Sequence, residues 1–217
     1  MFKYNNIEFQ WLGHDGFKIK DMEKDLVIYT DPYKISNQGD IQKDAQIILI
    51  SHNHFDHLSI DDISKISNEN TKIIAPQECE TKLKETKCND IKIVKPGETI
   101  NVLDTKIEIV PAYNTNKNFH PKEDNKVGYI LTLQNTRIYH SGDTDEISEM
   151  KEFKPDIALV PVSGTYVMDP HEAAHAINEL LKPKLFAIPM HYNSIVGTSK
   201  DAEKFKNLVK ICDVKIL

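Results

Sequence analysis

The segment Ser51-His52-Asn53-His54-Phe55-Asp56-His57-Leu58 places three histidines and one aspartate directly after an apolar run. That run, Ile47-Ile48-Leu49-Ile50, is typical of a strand that is buried on both faces of a sheet. Burying imidazole and carboxylate groups without hydrogen bonds or a metal ion is costly, so a polar cap on a sheet edge explains the segment poorly. Neutral imidazole and carboxylate are ordinary zinc ligands, and the segment therefore predicts a metal site.

The spacing of these side chains indicates more than one ion. In an extended chain His52, His54 and Asp56 would share one face, whereas His57 would point away. Ser59, with an acidic residue three positions later, is typical of a helix start, so we expect the backbone to turn at Asp56-His57. Two pairs of ligands directed toward different points suit two metal ions better than one.

The pattern His-x-His-x-Asp-His after a buried strand resembles the signature of the metallo-β-lactamase superfamily, and the resemblance extends over nearly the whole chain. It implies an α/β fold, an αββα sandwich of two mixed β-sheets flanked by helices. No Gly/Ser linker or charge block divides the sequence, so we expect a single domain over residues 1–217. Local patterns predict helices over residues 60–67, 76–84 and 199–211, a helix beginning at Asp169-Pro170, and a last strand over residues 214–217.

Composition excludes several classes of protein. A hydrophobic fraction of 40% with 28% charged residues is ordinary for a globular protein. No apolar stretch approaches the roughly 20 residues that span a bilayer, and the first residues lack a signal-peptide core, so we expect a cytoplasmic protein. The net charge of -6 disfavours nucleic acid as a partner. Cys79, Cys88 and Cys212 are too widely spaced to indicate a disulfide framework or a cysteine-rich zinc site.

The resemblance implies two further ligands that follow predicted strands. Asp143 lies in Ser-Gly-Asp-Thr, which is similar to the family segment whose aspartate bridges two metal ions. A carboxylate can place one oxygen on each cation, which agrees with that role. His191 follows the apolar strand predicted over residues 184–189 after one intervening residue, Met190, and it resembles the final ligand of the family.

One position departs from the family pattern. Asn114 stands where the family usually carries a histidine ligand. Either His120 reaches in from the following loop to replace it, or the first ion is held by two histidines and a weaker donor. We favour His120, because a neutral amide binds zinc poorly and imidazole binds it well.

Two residues near strand ends have two interpretations each. His14 lies on a turn and could simply be solvated, but the family's Leu-Gly-His segment lies beside the metal cleft. Asp31 precedes a proline at the end of a predicted strand, where the family also tends to carry Asp-Pro. It could form the turn, or it could accept a hydrogen bond from a ligand histidine and determine its tautomer.

The sequence His171-Glu172-Ala173-Ala174-His175 matches the helical motif of zinc proteases. A short motif of this kind arises by chance, and such a site needs a further ligand, so we consider the protease interpretation minor. His171 near the helix start remains a candidate substrate contact or proton donor. His140 is expected to be packed, and Asp145 to cap a helix.

The resemblance implies a metal-dependent hydrolase, similar to small lactonase-like and phosphodiesterase-like members such as ascorbate-6-phosphate lactonase and N-acyl phosphatidylethanolamine phospholipase D. We expect two divalent ions, zinc first with Mn²⁺ or Fe²⁺ as alternatives, and a hydroxide between them as nucleophile. The two ions, two carboxylates and hydroxide leave about one net positive charge, which favours a small anionic ester, lactone or phosphodiester substrate. The expected metal ligands are His52, His54, Asp56, His57, His120, Asp143 and His191, and the expected catalytic residues are Asp56, His14 and His171.

Within that ligand set, His52, His54 and His120 are expected on one ion and Asp56, His57 and His191 on the other, with Asp143 shared. Two other classes remain open, an RNA-processing nuclease and a non-catalytic metal-binding protein. The physiological substrate and the oligomeric state do not follow from the sequence.

Overall fold

Two seven-stranded mixed sheets contain the strands of this computed structural model, which describes residues 1–35 and 42–217. Each sheet forms the centre of one compact unit. The first unit comprises residues 1–94 with Leu217, and the second comprises residues 95–216. Two mixed sheets accompanied by helices agree with the predicted fold class, while the expectation of a single domain stays a prediction.

The sheet of the first unit runs in chain order from β1 to β7. Strands β1 to β4 pair antiparallel, and β4 to β7 pair parallel. Its strands are β1 (Phe2–Tyr4), β2 (Ile7–Gly13), β3 (Gly16–Asp21), β4 (Leu26–Thr30), β5 (Ile47–Leu49), β6 (Lys72–Pro76) and β7 (Asp90–Val94). Its helices are α1 (Ile60–Ile66) and α2 (Glu80–Leu83), the second preceded by a 3₁₀ turn over Gln77–Cys79.

Helix α1 begins where the sequence indicates. The hydroxyl oxygen of Ser59 accepts a hydrogen bond from the backbone N–H of Asp62, which caps the first turn. Ile63 and Ile66 of this helix join Ile48 and Ile73 of the sheet in one buried apolar cluster. Burial of these aliphatic side chains anchors the helix that directly follows the histidine segment.

The sheet of the second unit runs in the order β14-β13-β12-β11-β10-β9-β8. Strands β8 to β11 pair antiparallel, and β11 to β14 pair parallel. Its strands are β8 (Thr99–Val102), β9 (Thr105–Pro111), β10 (Val127–Leu133), β11 (Thr136–His140), β12 (Ile157–Pro161), β13 (Phe186–Met190) and β14 (Asp213–Val214). Its helices are α3 (Met150–Phe153), α4 (Pro170–His175), which continues as a π-helical turn over Ala176–Leu181, and α5 (Ser199–Leu208).

Within each unit, parallel pairing brings the functional segments to one edge of a sheet. Thr30 of β4 pairs with Leu49 of β5, so the chain leaves both strands at the same edge. In the second unit β11, β12 and β13 are parallel neighbours and deliver their following loops together. The carboxyl ends of parallel strands are the usual location of a site in such sheets.

Three predicted element boundaries are wrong. The helix expected from Pro76 begins one residue later as a 3₁₀ turn, because Pro76 still pairs with Val94. Helix α5 ends at Leu208 rather than Ile211, because the side chain of Asn178 donates to the carbonyl of Leu208 and accepts from the backbone N–H of Lys210. The last strand covers only residues 213–214. None of the helices in the described ranges is long and apolar enough to cross a membrane.

Candidate metal centre

The histidine segment folds into a tight turn after β5. The backbone N–H groups of His57 and Leu58 both donate to the carbonyl oxygen of His54, at 3.1 and 2.8 Å. The predicted turn is therefore confirmed. The ring of His52 lies 4.0 Å from that of His57 and 4.4 Å from that of His54 between centroids. The ring of His57 thus lies beside that of His52, while its Nε2 lies 3.8 Å from Oδ2 of Asp56, so the expectation that Asp56 and His57 face a different point from the first two histidines stays a prediction.

A buried carboxylate organises the base of this turn. Asp31, at the end of β4, accepts hydrogen bonds from the backbone N–H of Ser51 at 2.7 Å and from its hydroxyl at 2.6 Å. The same Oδ2 atom lies 2.9 Å from Nδ1 of His57. Asp31 is completely buried, so these bonds are shielded from solvent. The predicted hydrogen bond from a histidine of this segment to Asp31 is confirmed, and the role of His57 as a ligand stays a prediction.

This network determines the tautomers of two histidines. A carboxylate only accepts hydrogen bonds, so His57 donates through Nδ1–H and carries its lone pair on Nε2. The Ser51 hydroxyl donates to Asp31 and therefore accepts from Nδ1 of His52, which lies 2.9 Å away. Both rings thus present Nε2 as the potential ligand atom, the arrangement typical of metal-binding histidines.

His14 is a buried residue and not a solvated turn residue. It is 1% exposed, its backbone lies in the left-handed region (φ 51°), and its carbonyl accepts from the indole N–H of Trp11. Its Nε2 lies 2.9 Å from Oδ2 of Asp56, which lies 3.8 Å from Nε2 of His57. The interpretation of His14 as a solvent-satisfied turn residue is therefore wrong, and the alternative position beside the predicted metal cleft agrees with this contact to Asp56.

In the second unit, Asn114 holds His120. The side-chain oxygen of Asn114 accepts from both the backbone N–H of His120, at 3.0 Å, and its Nδ1, at 2.9 Å. The amide nitrogen of Asn114 donates to the carbonyl of Tyr166 at 2.9 Å. Both lone pairs of the amide oxygen are thus engaged by His120, and Asn114 holds the imidazole in one orientation. This geometry favours His120 over Asn114 as the ligand.

The loop between Asn114 and His120 is held by Asp145. One oxygen of this buried carboxylate accepts from the backbone N–H groups of Thr115 and Asn116, at 2.8 and 3.2 Å. The other oxygen lies 2.6 Å from Nζ of Lys117. The prediction that Asp145 caps a helix is wrong, since α3 begins only at Met150 and the side chain is committed to this loop.

Asp143 lies between two imidazoles. Its Oδ2 is 3.3 Å from Nε2 of His120, and its Oδ1 is 3.3 Å from Nε2 of His191. Nδ1 of His191 lies 2.9 Å from the Ser163 hydroxyl oxygen, which parallels the contact between His52 and Ser51. The carboxylate thus faces the outer nitrogen of each ring, an arrangement that a cation stabilises. The predicted role of Asp143 as a bridging ligand is consistent with having one oxygen toward each histidine.

The protease-like motif does not assemble a site among the described residues. His171 and His175 are both exposed, and Nδ1 of His175 lies 2.7 Å from a carboxylate oxygen of Glu146. Glu172 completes a capping box with Asp169 and bonds to Asn116. Neither histidine belongs to a group of three or more potential ligands in the described ranges. The catalytic role of His171 stays a prediction, and His140 is fully buried as expected.

Sequence reasoning missed two serines that hold histidines. Ser51 accepts from Nδ1–H of His52, and the Ser163 hydroxyl forms a hydrogen bond with Nδ1 of His191. The adjacency of Ser51 and His52 in the chain was a local signal for the first contact. Asp15 is also completely buried, with an oxygen 3.8 Å from Nδ1 of His57. It forms a potential ligand group with Asp31 and His57, and nothing in its sequence context indicated this.

The donor set of each unit fits divalent metal ions. The first unit supplies His52, His54, His57 and Asp56, and the second supplies His120, His191 and Asp143. Four of these histidines have Nδ1 against a protein oxygen, at distances of 2.9 Å. Imidazoles held in this way, with carboxylates beside them, are typical ligands of zinc and related cations.

Comparison with known proteins agrees with these observations. The model of the Beta-lactamase superfamily domain matches residues 8–191. The chain belongs to the metallo-β-lactamase superfamily. Relatives named UPF0173 metal-dependent hydrolase include one from Caldivirga maquilingensis, 33% identical over 93% of this chain and 88% of the relative, and one from Pyrococcus horikoshii, 34% identical over 94% and 92%. Membership of this superfamily and its hydrolase class, as the sequence predicted, is confirmed.

Solved structures of this superfamily support the fold. A crystal structure of a protein from Parabacteroides distasonis is 34% identical and covers 97% of this chain and 92% of its own, with a TM-score of 0.81. The predicted metallo-β-lactamase fold, with two mixed sheets and helices, is therefore confirmed.

Proposed function

We propose that this protein is a metal-dependent hydrolase that uses two divalent ions to cleave an ester, lactone or phosphodiester bond in a small, anionic substrate. One observation carries the proposal. His52, His57, His120 and His191 each have Nδ1 engaged by a protein oxygen, which leaves Nε2 as the ligand atom. Burying imidazoles in this way contributes little to the free energy of folding, because each ring needs a hydrogen-bond partner inside the protein.

The proposed ligand assignment follows the family pattern. His52, His54 and His120 serve the first ion, Asp56, His57 and His191 serve the second, and Asp143 is shared. The contacts within each unit support it, because Asp143 faces both His120 and His191, and Asp56 lies beside His57. We propose zinc as the metal, because the set is rich in imidazole, with Mn²⁺ or Fe²⁺ as alternatives.

When bound, such ions would lower the pKa of water toward roughly 7 and stabilise negative charge on oxygen. The chain's own residues hold the donors in place. Nε2 of His14 donates a hydrogen bond to Oδ2 of Asp56, so the other carboxylate oxygen of Asp56 faces away from the imidazole of His14. Asp31 keeps the proton of His57 on Nδ1, and the Ser163 hydroxyl holds the ring of His191 through a hydrogen bond with its Nδ1. We propose His14 and Asp56 as catalytic candidates through this contact, and His171 as a proton donor from the surface of α4.

The experiment combines metal analysis with turnover. The protein is stripped with a chelator, reloaded with zinc and analysed for metal content, and it is then assayed on panels of lactones, carboxylic esters and phosphodiesters. We expect about two ions per chain and hydrolysis on one panel. His54→Ala should lose metal and should reduce activity by more than the 10–100-fold typical of a residue that only orients a ligand.

His175→Ala is the matched control, because His175 is an exposed histidine outside the proposed ligand set. It should retain metal and activity, and loss of metal in this variant would instead support the protease-like site. Bound metal without turnover on any panel would identify a non-catalytic metal-binding protein. Salt-sensitive cleavage of RNA would identify a nuclease and would also overturn the proposal.

A further inference from the structure

An exposed phenylalanine in the loop that carries His120 packs on a half-buried tyrosine. Phe119 is 47% exposed, although it is a large apolar side chain. Its ring packs edge-to-face against that of Tyr166, with centroids 4.7 Å apart and an interplanar angle of 90°. Exposing an aromatic ring to water is unfavourable, so a pair held in this orientation is a candidate contact for an apolar ligand.

Both members of the pair are linked to the proposed ligand His120. Phe119 is the residue directly before it in the chain. The backbone carbonyl of Tyr166 accepts from the amide of Asn114, whose oxygen holds the imidazole of His120. The same hydrogen bonds that orient the histidine therefore also position the aromatic pair. The pair is therefore linked to His120 both along the chain and through Asn114.

The charges of this loop favour an uncharged partner for the pair. Lys117 is committed to Asp145 and Glu172, at 2.6 and 3.5 Å. Lys122, at the other end of the loop, bonds to Glu149 at 2.8 Å. Each of these two lysines is thus paired with a carboxylate, which offsets its charge beside the aromatic pair.

The first unit contains the same arrangement. Phe55, directly before Asp56, is 62% exposed, and its ring lies edge-to-face with Tyr33 at 5.9 Å. Tyr33 in turn lies 6.1 Å from His14, which bonds to Asp56. An exposed phenylalanine preceding a proposed ligand and resting on a tyrosine therefore occurs in both units.

We infer that the Phe119–Tyr166 pair contacts an uncharged, apolar acyl or aryl part of the substrate, while the scissile group lies at the metal ligands. The inference rests on the proposed function. It narrows the substrate class to small anionic compounds in which the hydrolysable group also carries an apolar chain or ring. The pair determines specificity and takes no part in bond cleavage.

The test measures binding, so that its result is separate from turnover. Straight-chain carboxylates from acetate to decanoate, which are products of ester hydrolysis, are titrated calorimetrically into the zinc-loaded protein. Full burial of a methylene group tightens binding about fourfold. Contact with the half-exposed ring of Phe119 should therefore tighten binding about twofold for each added methylene. Phe119→Ala should remove most of this dependence on chain length, and Phe119→Leu should retain most of it.

Leu103→Ala is the control, because Leu103 is 44% exposed in the same unit and lies in the turn before β9. Strand β9 separates it from the site loop by about 20 Å. This variant should behave as the unchanged protein. Zinc content and thermal unfolding establish that each variant is folded, and Tyr166→Ala replaces Phe119→Ala if the latter does not fold.

Binding that does not depend on chain length, or an undiminished dependence in Phe119→Ala, would overturn the inference. Hydrolysis of esters without any such dependence would leave the proposed function intact and refute only the aromatic contact. Chain-length dependence without hydrolysis on any panel would support the aromatic contact and refute the proposed function.

Discussion

The substitution Asp31→Asn changes the proton position on His57 without changing the shape of the side chain. In the protein, Oδ1 of Asp31 accepts from the backbone N–H of Ser51, and Oδ2 accepts from its hydroxyl and from Nδ1–H of His57. Asparagine keeps one accepting oxygen and replaces the other with an NH₂ donor. The backbone N–H of Ser51 can only donate, so the amide oxygen takes the Oδ1 position.

The amide nitrogen then faces Nδ1 of His57, at the 2.9 Å position of the original oxygen. Nδ1 can accept this hydrogen bond only if the ring proton moves to Nε2, which removes the lone pair that a metal ion needs. Loss of a group that orients a ligand histidine costs 10–100-fold in metal affinity, or about 1.4 to 2.7 kcal/mol. We expect Asp31→Asn to weaken binding of one zinc ion by this amount.

Zinc affinity is measured by competition with a chromophoric chelator on the metal-free protein, and the tautomer of His57 by nitrogen-15 NMR. Asp21→Asn is the matched control, since Asp21 is equally buried in the same unit but accepts from the backbone N–H groups of Glu23 and Lys24. An Asp31→Asn protein with unchanged affinity and Nδ1–H tautomer, or an Asp21→Asn protein weakened to the same extent, would refute the reasoning.

Three further predictions follow from contacts in the second unit. Asn114→Ala leaves two N–H groups of His120 without their acceptor and should weaken zinc binding 10–100-fold in the same competition assay, with unchanged affinity contradicting the orienting role. Gly128→Ala places a methyl group 2.8–2.9 Å from the carbonyl oxygens of residues 140 and 141. It should lower the free energy of unfolding by about 1–3 kcal/mol in urea and should also weaken zinc binding. An unchanged urea midpoint would contradict this prediction. Partial burial alone would raise the pKa of Glu149, but hydrogen bonds, first from a lysine ammonium group, outweigh it and lower the pKa to about 2. The stabilisation is then present above the unfolded pKa of about 4.3 and is lost as pH falls toward 2, so Glu149→Gln should destabilise by about 1 kcal/mol at pH 7 and by less at pH 3, and an equal loss at both pH values would argue against it.

The sequence was sufficient to predict the segments that carry the potential ligands. Segment 51–58, Asp143 and His191 each follow a strand whose apolar composition can be recognised locally, and parallel strands deliver the residues at their carboxyl ends to one edge. The structure confirms these strands and the helix start at Ser59. The residue types then indicated metal chemistry, because imidazole and carboxylate in this pattern have few other uses.

The tertiary structure decided that Asp31 accepts from His57 rather than forming only a turn, and that Ser163 contacts His191. Asp31 lies 26 positions from His57, and Ser163 lies 28 positions from His191. Asp145, expected to cap a helix, instead holds the backbone of a loop some 30 positions earlier. Helix and strand patterns depend on neighbours a few residues apart, whereas these hydrogen bonds depend on strand register and loop path, which bring distant residues within 3 Å and are not encoded in any local pattern.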